Sequence, residues 1–433
     1  MDRDVAGRRV LIAMAVGVSL RVLLVVTGHG TGRFLFADSD SYLVVARALP
    51  HALWSPGPGL LTATLWRTPV YPLFLWLAGG GNHLTAVVIV QCAIGGGLNV
   101  WLASRVGLRL FGPTAAVVAA VVCALDPVSV AQSLLVATET LTTTWLLLVV
   151  LGAVASIDRL ADARPAWATA VGAGAAGAML TLTRPNLILL APFAALVVVL
   201  VERNRFGVRC GALLLVVAIV PVGAWVARND HVSGTPVLTT IGGQNLVDFG
   251  LVSTAHDQGR LGFWTTDARR VAAAVAATPE AGRLSRPIDG DTQSISTDRA
   301  WRHEGSALVR AHPRGAATVL VSTTVKTALA PGTDLLVSHL PEGMRRAAHG
   351  PARAMGAVFL AALYVLAAGG AVCLVRRRQW GDLAITAGMI VLYVACSAGP
   401  WMDIRFRVPI VPVIAVLAGL GVQRLGERTR AVD

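Results

Sequence analysis

Long apolar runs separated by short polar loops dominate the chain. They extend from Val10 to Val26, Leu84 to Ala103, Ala115 to Leu125, Leu141 to Ala155, Trp167 to Leu182, Leu187 to Val201, Gly211 to Val226, Met355 to Val375, Leu383 to Ala398 and Ile410 to Val422, which predicts ten transmembrane helices. A hydrocarbon core about 30 Å thick takes roughly 20 apolar residues of helix, so the third run must extend into its flanks. The first run continues directly into further spans and is expected to remain as a helix rather than leave as a signal peptide. Two other apolar stretches, Val70 to Leu77 and Ala316 to Leu329, are read as helices lying at the membrane surface. Counting either one alone as a span would invert every later loop. The fold class expected is therefore all-α and polytopic, with about ten transmembrane helices and extracytoplasmic surface helices.

Composition agrees with this pattern. Of 433 residues, 55% are hydrophobic and 14% charged, against about 25% charged in ordinary soluble domains. The formal net charge of +13 would suggest nucleic acid in a soluble protein, but the basic residues fall in alternate short loops. Arg8 and Arg9, Arg105 and Arg109, Arg159 and Arg164, Arg203 to Arg209, Arg376 to Arg378, and Arg424 to Arg430 share one side. By the positive-inside rule that side is the cytoplasm. Both termini are expected there, in the plasma membrane, and nucleic acid is not an expected partner. Nearly all the positive charge is arginine, Lys326 being the only lysine. The five cysteines are scattered through apolar runs and define neither a metal site nor a disulfide framework.

Three units follow: a transmembrane module over 1–227 with a first outer loop at 29–83, an outer segment over 228–354, and closing helices over 355–433. Residues 278–297 are rich in Gly, Ser, Thr, Asp and Pro, and predict a loop region within the outer segment. No internal repeat is evident.

Candidate chemistry gathers in the outer loops. Asp38 and Asp40, in Ala37-Asp38-Ser39-Asp40-Ser41-Tyr42, stand where an apolar helix has ended. A carboxylate there can take a proton from an acceptor hydroxyl, or it can cap the helix beginning near Tyr42. Arg21 lies inside the first span, and either pairs with an anion near Asp38 or snorkels to the surface. Arg67, in Arg67-Thr68-Pro69, is placed to grip a phosphate at headgroup level. Glu139 opens the fourth span as a cavity acid or an interfacial charge. Arg184 marks the next outer turn, and Arg228 with Asn229 opens the outer segment, followed by Gly242 and Gly243. Arg405 and Arg407 precede the last span on the outer face, against the charge bias, which favours a phosphate partner. Asp38 and Asp40 without a histidine cluster leave a divalent metal open.

The ordered set Asp38-Ser-Asp-Ser-Tyr42, Arg67-Thr-Pro-Val-Tyr-Pro-Leu-Phe74, Thr138-Glu-Thr-Leu141, Leu182-Thr-Arg-Pro185, Arg228-Asn229 with Gly242 to Leu246, and Arg405-Phe-Arg-Val-Pro409 resembles the protein O-mannosyltransferase and aminoarabinose transferase branch of the glycosyltransferase C superfamily. The resemblance runs along nearly the whole chain. It implies a membrane enzyme that inverts the anomeric centre of a sugar taken from a polyprenyl-phosphate donor on the extracytoplasmic side. It assigns Asp38, four positions before Tyr42, as the catalytic acid of the first outer loop and Arg67 as a residue touching the donor phosphate, and it matches Arg405 to the family's basic position before the last helix. Where the family often carries Glu after that Asp, this chain has Ser39 and then Asp40. The expected partners are the lipid-linked sugar, a glycan, lipid or protein acceptor recognised by 228–354 and the cavity, and membrane lipids. A transporter or flippase of a lipid-linked saccharide is the alternative reading; it predicts broken helices with polar groups at mid-membrane.

Overall fold

The computed structural model describes residues 2–27, 34–265, 267–284, 287, 291–338, 340 and 342–430. Part of the expected first outer loop, 29–33, and part of the expected loop region, 285–286 and 288–290, lie outside them. All regular structure among the described residues is helical.

Every predicted apolar run is a helix, but their lengths correct the count. Among the described residues eight helices are long and apolar enough to cross a membrane, and a ninth span forms if Pro113–Leu125 and Pro127–Ser133, bent by 55°, are taken together. The bend has a local cause. Pro127 cannot donate to the preceding turn, and the fully buried Asp126 caps the second helix, accepting 2.8 Å from the Ser129 N–H. The remaining run is the 17-residue helix Trp167–Thr183, which packs between Glu139–Ala161 and Arg205–Ser233. The two surface candidates are Val70–Gly79 and Pro313–Leu329, and neither has the length and apolar content of a span.

The largest core joins the spans through small residues. Its members include Val100, Ala103, Leu146, Val150, Ala173, Leu190, Leu214, Leu363 and Leu417. Close crossings need the missing side chain of glycine at two places. A Cβ on Gly96 would lie 2.5 Å from the Gly17 carbonyl carbon, and one on Gly305 would lie 2.5 Å from that of Leu246. The first crossing seats Arg3–Thr27 on the π-turn Ile94–Leu98. The second lets Ile241–Asp257 pack on Ile295–Ala311.

A second core, with Phe34, Tyr42, Leu43, Tyr71, Leu75, Val87, Leu134 and Leu141, fills one end of the bundle. It fixes Ser39–Arg47 and Val70–Gly79 against the spans. The 228–354 segment has only a small core of its own, built from Val247, Leu251, Ala281, Leu284, Trp301 and Leu308. Ala281–Leu284 is a short helix within the stretch expected to be loop.

Candidate active site

Four helix ends meet over the second core, and each delivers one charged side chain for a reason visible in its sequence. Asp38 immediately precedes Ser39–Arg47, and its side chain makes no capping bond. The local hydrogen bonds are made by serines instead: Ser39 Oγ accepts from Phe36 N–H at 2.8 Å and donates to the Val136 carbonyl, while Ser41 Oγ donates to the Asp38 carbonyl at 2.6 Å. The Asp38 carboxylate is thereby left free for other partners. Arg67 is the extended residue (φ −111°, ψ 131°) that ends Pro58–Trp66, just before the Thr68-Pro69 step. Arg184 is likewise extended (φ −137°, ψ 98°) at the end of Trp167–Thr183, as the residue before Pro185 must be. Arg405 sits in the 3-10 stretch Ile404–Ile410, where Asp403 accepts from its N–H at 2.9 Å.

These side chains form one network. Arg67 Nη2 donates to Asp38 Oδ1 at 3.0 Å, and Arg405 Nη1 donates to Asp38 Oδ2 at 3.1 Å. Arg67 also donates through Nε to Ser41 Oγ at 2.8 Å and through Nη1 to Tyr42 Oη at 3.2 Å, with the guanidinium 4.3 Å from the Tyr42 ring centre. Tyr42 meets Tyr71 edge-on at 4.9 Å, and Tyr71 donates to Gln91 Oε1 at 2.9 Å. A second carboxylate lies below: Glu139, in the first turn of Glu139–Ala161, accepts from Arg184 Nη2 at 2.6 Å. Arg405 Nε approaches the same Glu139 oxygen at 3.9 Å and Asp403 at 3.3 Å. Phe406 lies between the two cations, 4.7 Å from the Arg184 guanidinium and 5.4 Å from that of Arg405.

The burial is graded. Glu139 is 1% exposed, whereas the Asp38 side chain is 41% exposed and open to a reactant. Partial burial opposes the Asp38 charge, but the Arg67 and Arg405 guanidiniums outweigh it and hold the carboxyl below its usual range. Asp38 is therefore ionised across the physiological range. The stability this ion pairing contributes is present above the unfolded carboxyl's titration near pH 4 and is lost as pH falls through the lower folded value.

The structure brings together Asp38, Tyr42, Arg67, Glu139, Arg184 and Arg405, and leaves three sequence candidates elsewhere. Asp40 is exposed and meets no ion-pair partner among the described residues, because at 3.6 residues per turn it projects about 200° away from Asp38. Arg21 neither pairs near Asp38 nor reaches the surface. Fully buried, it donates to Ser133 Oγ at 3.1 Å and to the Gly17 and Ala124 carbonyls at 3.0 and 2.8 Å, satisfying the open helix end at the Asp126-Pro127 break. Arg228 donates to the Leu53 and Ala52 carbonyls at 2.5 and 2.7 Å, and its neighbour Asn229 donates to Val237 O at 2.8 Å. It pins the 228–354 segment to the loop carrying Arg67. Sequence reading missed Ser41, Thr138, Tyr393, Phe36 and Phe406 as members of the site. Thr138 and Tyr393 hydroxyls lie 2.9 and 3.4 Å from Arg184 nitrogens, and Arg405 stacks 4.5 Å from Phe36.

A divalent cation needs oxygen donors free to face it. Both Asp38 oxygens face guanidiniums, and no group of three or more His, Cys, Asp or Glu side chains comes together among the described residues. The donor set present does not fit such an ion.

Residues 67–226 match the family model for dolichyl-phosphate-mannose-protein mannosyltransferase. The oligosaccharyltransferase AglB of Archaeoglobus fulgidus, solved with an inhibitory peptide and a dolichol-phosphate, superposes with a TM-score of 0.55 at 17% identity over 99% of this chain and 51% of its own. The fold is shared with that oligosaccharyltransferase. A second structure of the A. fulgidus oligosaccharyltransferase, tethered to an acceptor peptide, gives a TM-score of 0.51 at 16% identity over the same shares. The ArnT protein of Cupriavidus metallidurans is matched over 97% of this chain and 78% of its own, at 16% identity and a TM-score of 0.41. The chain thus spans about half the length of the oligosaccharyltransferase structures it matches. No curated protein matches it by sequence. The shared fold and the apolar helices together support an integral membrane protein.

One carboxyl near this site titrates unusually. Asp248, half-buried on Ile241–Asp257, accepts 2.9 Å from Trp401 Nε1, in the loop that leads to Arg405. Burial pushes its pKa up to about 6, although the Trp401 bond pulls the other way. An acid raised in the folded state loses stability as pH rises from the unfolded value near 4 to about 6, because the unfolded chain releases the proton first. Asp248→Asn is expected to flatten the decline of thermal stability between those values, measured in detergent at a series of pH values. An identical slope in the variant would remove Asp248 as its source.

Proposed function

We propose that the protein is an inverting glycosyltransferase that moves a sugar from a polyprenyl-phosphate donor to an acceptor hydroxyl on the extracytoplasmic side of the plasma membrane, with both termini cytoplasmic. The observation that carries this reading is the exposed Asp38 carboxylate held between the Arg67 and Arg405 guanidiniums. A base and two phosphate-complementary cations at one point are what a single displacement at a glycosyl phosphate requires. The positive-inside pattern of the loops supports the assignment of sides.

In this mechanism the acceptor oxygen attacks the sugar C1 while the bond from C1 to the phosphate oxygen breaks, and the electron pair leaves with the phosphate. The acceptor proton passes to Asp38. Two jobs meet in the same cations. Before the reaction Arg67 and Arg405 keep Asp38 ionised, and so a weak base. As charge develops on the departing phosphate the guanidiniums turn to it, and Asp38, losing their field, becomes more basic when the proton must move. Glu139 and Phe406 hold Arg405 and Arg184 in place beneath this exchange. The sugar, hexose or pentose, is not specified by these groups, since all of them act on the phosphate and the hydroxyl.

Purified protein supplied with radiolabelled polyprenyl-phosphate sugars tests the reading. Consumption of one donor with release of polyprenyl phosphate is expected; inertness toward the whole panel in the presence of membrane acceptors overturns it. Arg67→Ala removes one of two phosphate cations, so the apparent donor KM is expected to rise about tenfold or more, the loss of a charge-assisted contact of about 1.5–3 kcal/mol. An unchanged donor KM would take Arg67 out of phosphate binding.

A further inference from the structure

The 228–354 segment contains an open concavity with two arginines that the proposed chemistry does not use. This concavity of about 430 Å³, within the ~300–1,000 Å³ range of ligand pockets, is lined by Arg260, Leu261, Thr265, Arg270, Ala273 and Ala274. No carboxylate forms an ion pair with its two guanidiniums among the described residues. Arg260 gives Nε to Gln258 at 2.8 Å and keeps its terminal nitrogens, while the Arg270 guanidinium has no partner among the described residues. The adjacent carboxylates are engaged: Asp267 accepts from the Arg270 N–H at 2.8 Å, and Asp257 pairs with His312 at 3.0 Å. Lys326 extends to the same wall and donates to the Thr265 carbonyl at 2.8 Å, with two N–H bonds to spare. Trp264, the sequence neighbour of Thr265, is 64% exposed and rests edge-on against Phe263 at 5.0 Å.

The helix carrying Lys326 also contacts the segment that carries Arg405. Lys326 adjoins Thr327, whose carbonyl, with those of Ala328 and Ala330, accepts from Arg407 at 3.0, 3.2 and 2.8 Å. Arg407 is two residues from the Arg405 that holds Asp38. Thr324, on the same helix, donates toward Met402 Sδ at 3.7 Å.

We propose that this concavity binds an anionic sugar, one carrying a carboxylate or phosphate, as the acceptor of the transfer; the acceptor role rests on the function proposed above. Guanidiniums clamp carboxylate and phosphate in bidentate fashion, and an exposed indole offers the flat apolar face of a sugar a surface to stack on. An anionic lipid fits less well. Apart from Leu261 no long apolar side chain lines the concavity, whereas an acyl chain needs a continuous apolar wall.

The single lysine of the chain supplies a direct readout. Lys326 acylation by an amine-reactive ester, followed on its own peptide by mass spectrometry in the intact protein, is expected to slow several-fold with cellobiouronate or mannose 6-phosphate. Cellobiose should leave it unchanged. Arg260→Gln and Arg270→Gln should each abolish the protection. Equal protection by cellobiose, no protection by either anionic sugar, or protection only by phosphatidylglycerol vesicles each overturns the proposal, the last in favour of a lipid site. Protection by inorganic phosphate equal to that by mannose 6-phosphate also overturns it, since the sugar would then contribute nothing. The assay involves no turnover, so a failure of the glycosyl-transfer reading and a failure of this site are separate outcomes.

Discussion

Asp38→Asn is expected to lower the rate of sugar transfer by about 10² to 10⁴-fold, the usual contribution of a positioned general base, while leaving the protein folded and able to take its donor. The reasoning starts from geometry. Asn keeps one carbonyl oxygen to accept from Arg67 or Arg405, and the position is 41% exposed, so the change removes a charge without opening a cavity. What it does change is the competition for the guanidiniums. With the carboxylate gone, Arg67 and Arg405 face the donor phosphate without a rival anion, so the apparent donor KM is expected to hold or fall as kcat collapses. A merely structural Asp38 makes the opposite prediction for the donor: its affinity would decline, because the two arginines would lose their anchor, and kcat would hold. The measurement is kcat and donor KM for the variant at matched expression, with a melting curve alongside. Transfer near the wild-type rate removes Asp38 as the base.

How much of this was legible depends on whether the cause lay nearby in sequence. The helices were, because hydrocarbon length and apolar runs are local properties; the two runs that do not form a single straight span of full length are the one that Pro127 bends and the 17-residue Trp167–Thr183. The placing of Arg67, Arg184 and Arg405 at helix ends was legible through X-Pro steps and loop position. Asp38 was ambiguous between capping and chemistry, and its side chain is left without a capping bond because Ser39 and Ser41 make the local hydrogen bonds, which the sequence presents only as two more good capping residues. Arg21 was misread because its partners are remote. The Ala124 carbonyl is 103 positions away and Ser133 Oγ 112, and both are available only because the helix breaks between them. Tyr393 carried a faint signal, a lone phenol within an apolar run, but the Arg184 it meets is 209 positions distant. Tertiary coincidence of that kind leaves no pattern in a single chain.

The largest stability effect is expected from Arg184→Leu. Its partner Glu139 is 1% exposed and joined to it at 2.6 Å, and removing one member of a buried pair typically costs about 3–5 kcal/mol because the other is left charged in a poor solvent. Arg405 Nε, 3.9 Å from the same oxygen, is too far to take over without leaving Asp38. The single variant should therefore lose stability and also misplace Arg405, coupling a fall in the denaturation midpoint to a fall in transfer. Glu139→Leu combined with Arg184→Leu distinguishes the causes. Apolar replacement of both partners removes the stranded charge, and is often neutral or stabilising relative to the pair, so the double variant should recover most of the stability lost by the single one. It should not recover transfer, because Arg405 would still lack the carboxylate beneath it. Additive losses in the double-mutant cycle, measured by denaturant unfolding in detergent, would mean that Arg184 stabilises the fold through Thr138 and Phe406 rather than through Glu139. Full transfer in the stable double variant would show that Arg405 needs no support from below, and that Asp38 and Asp403 suffice to place it.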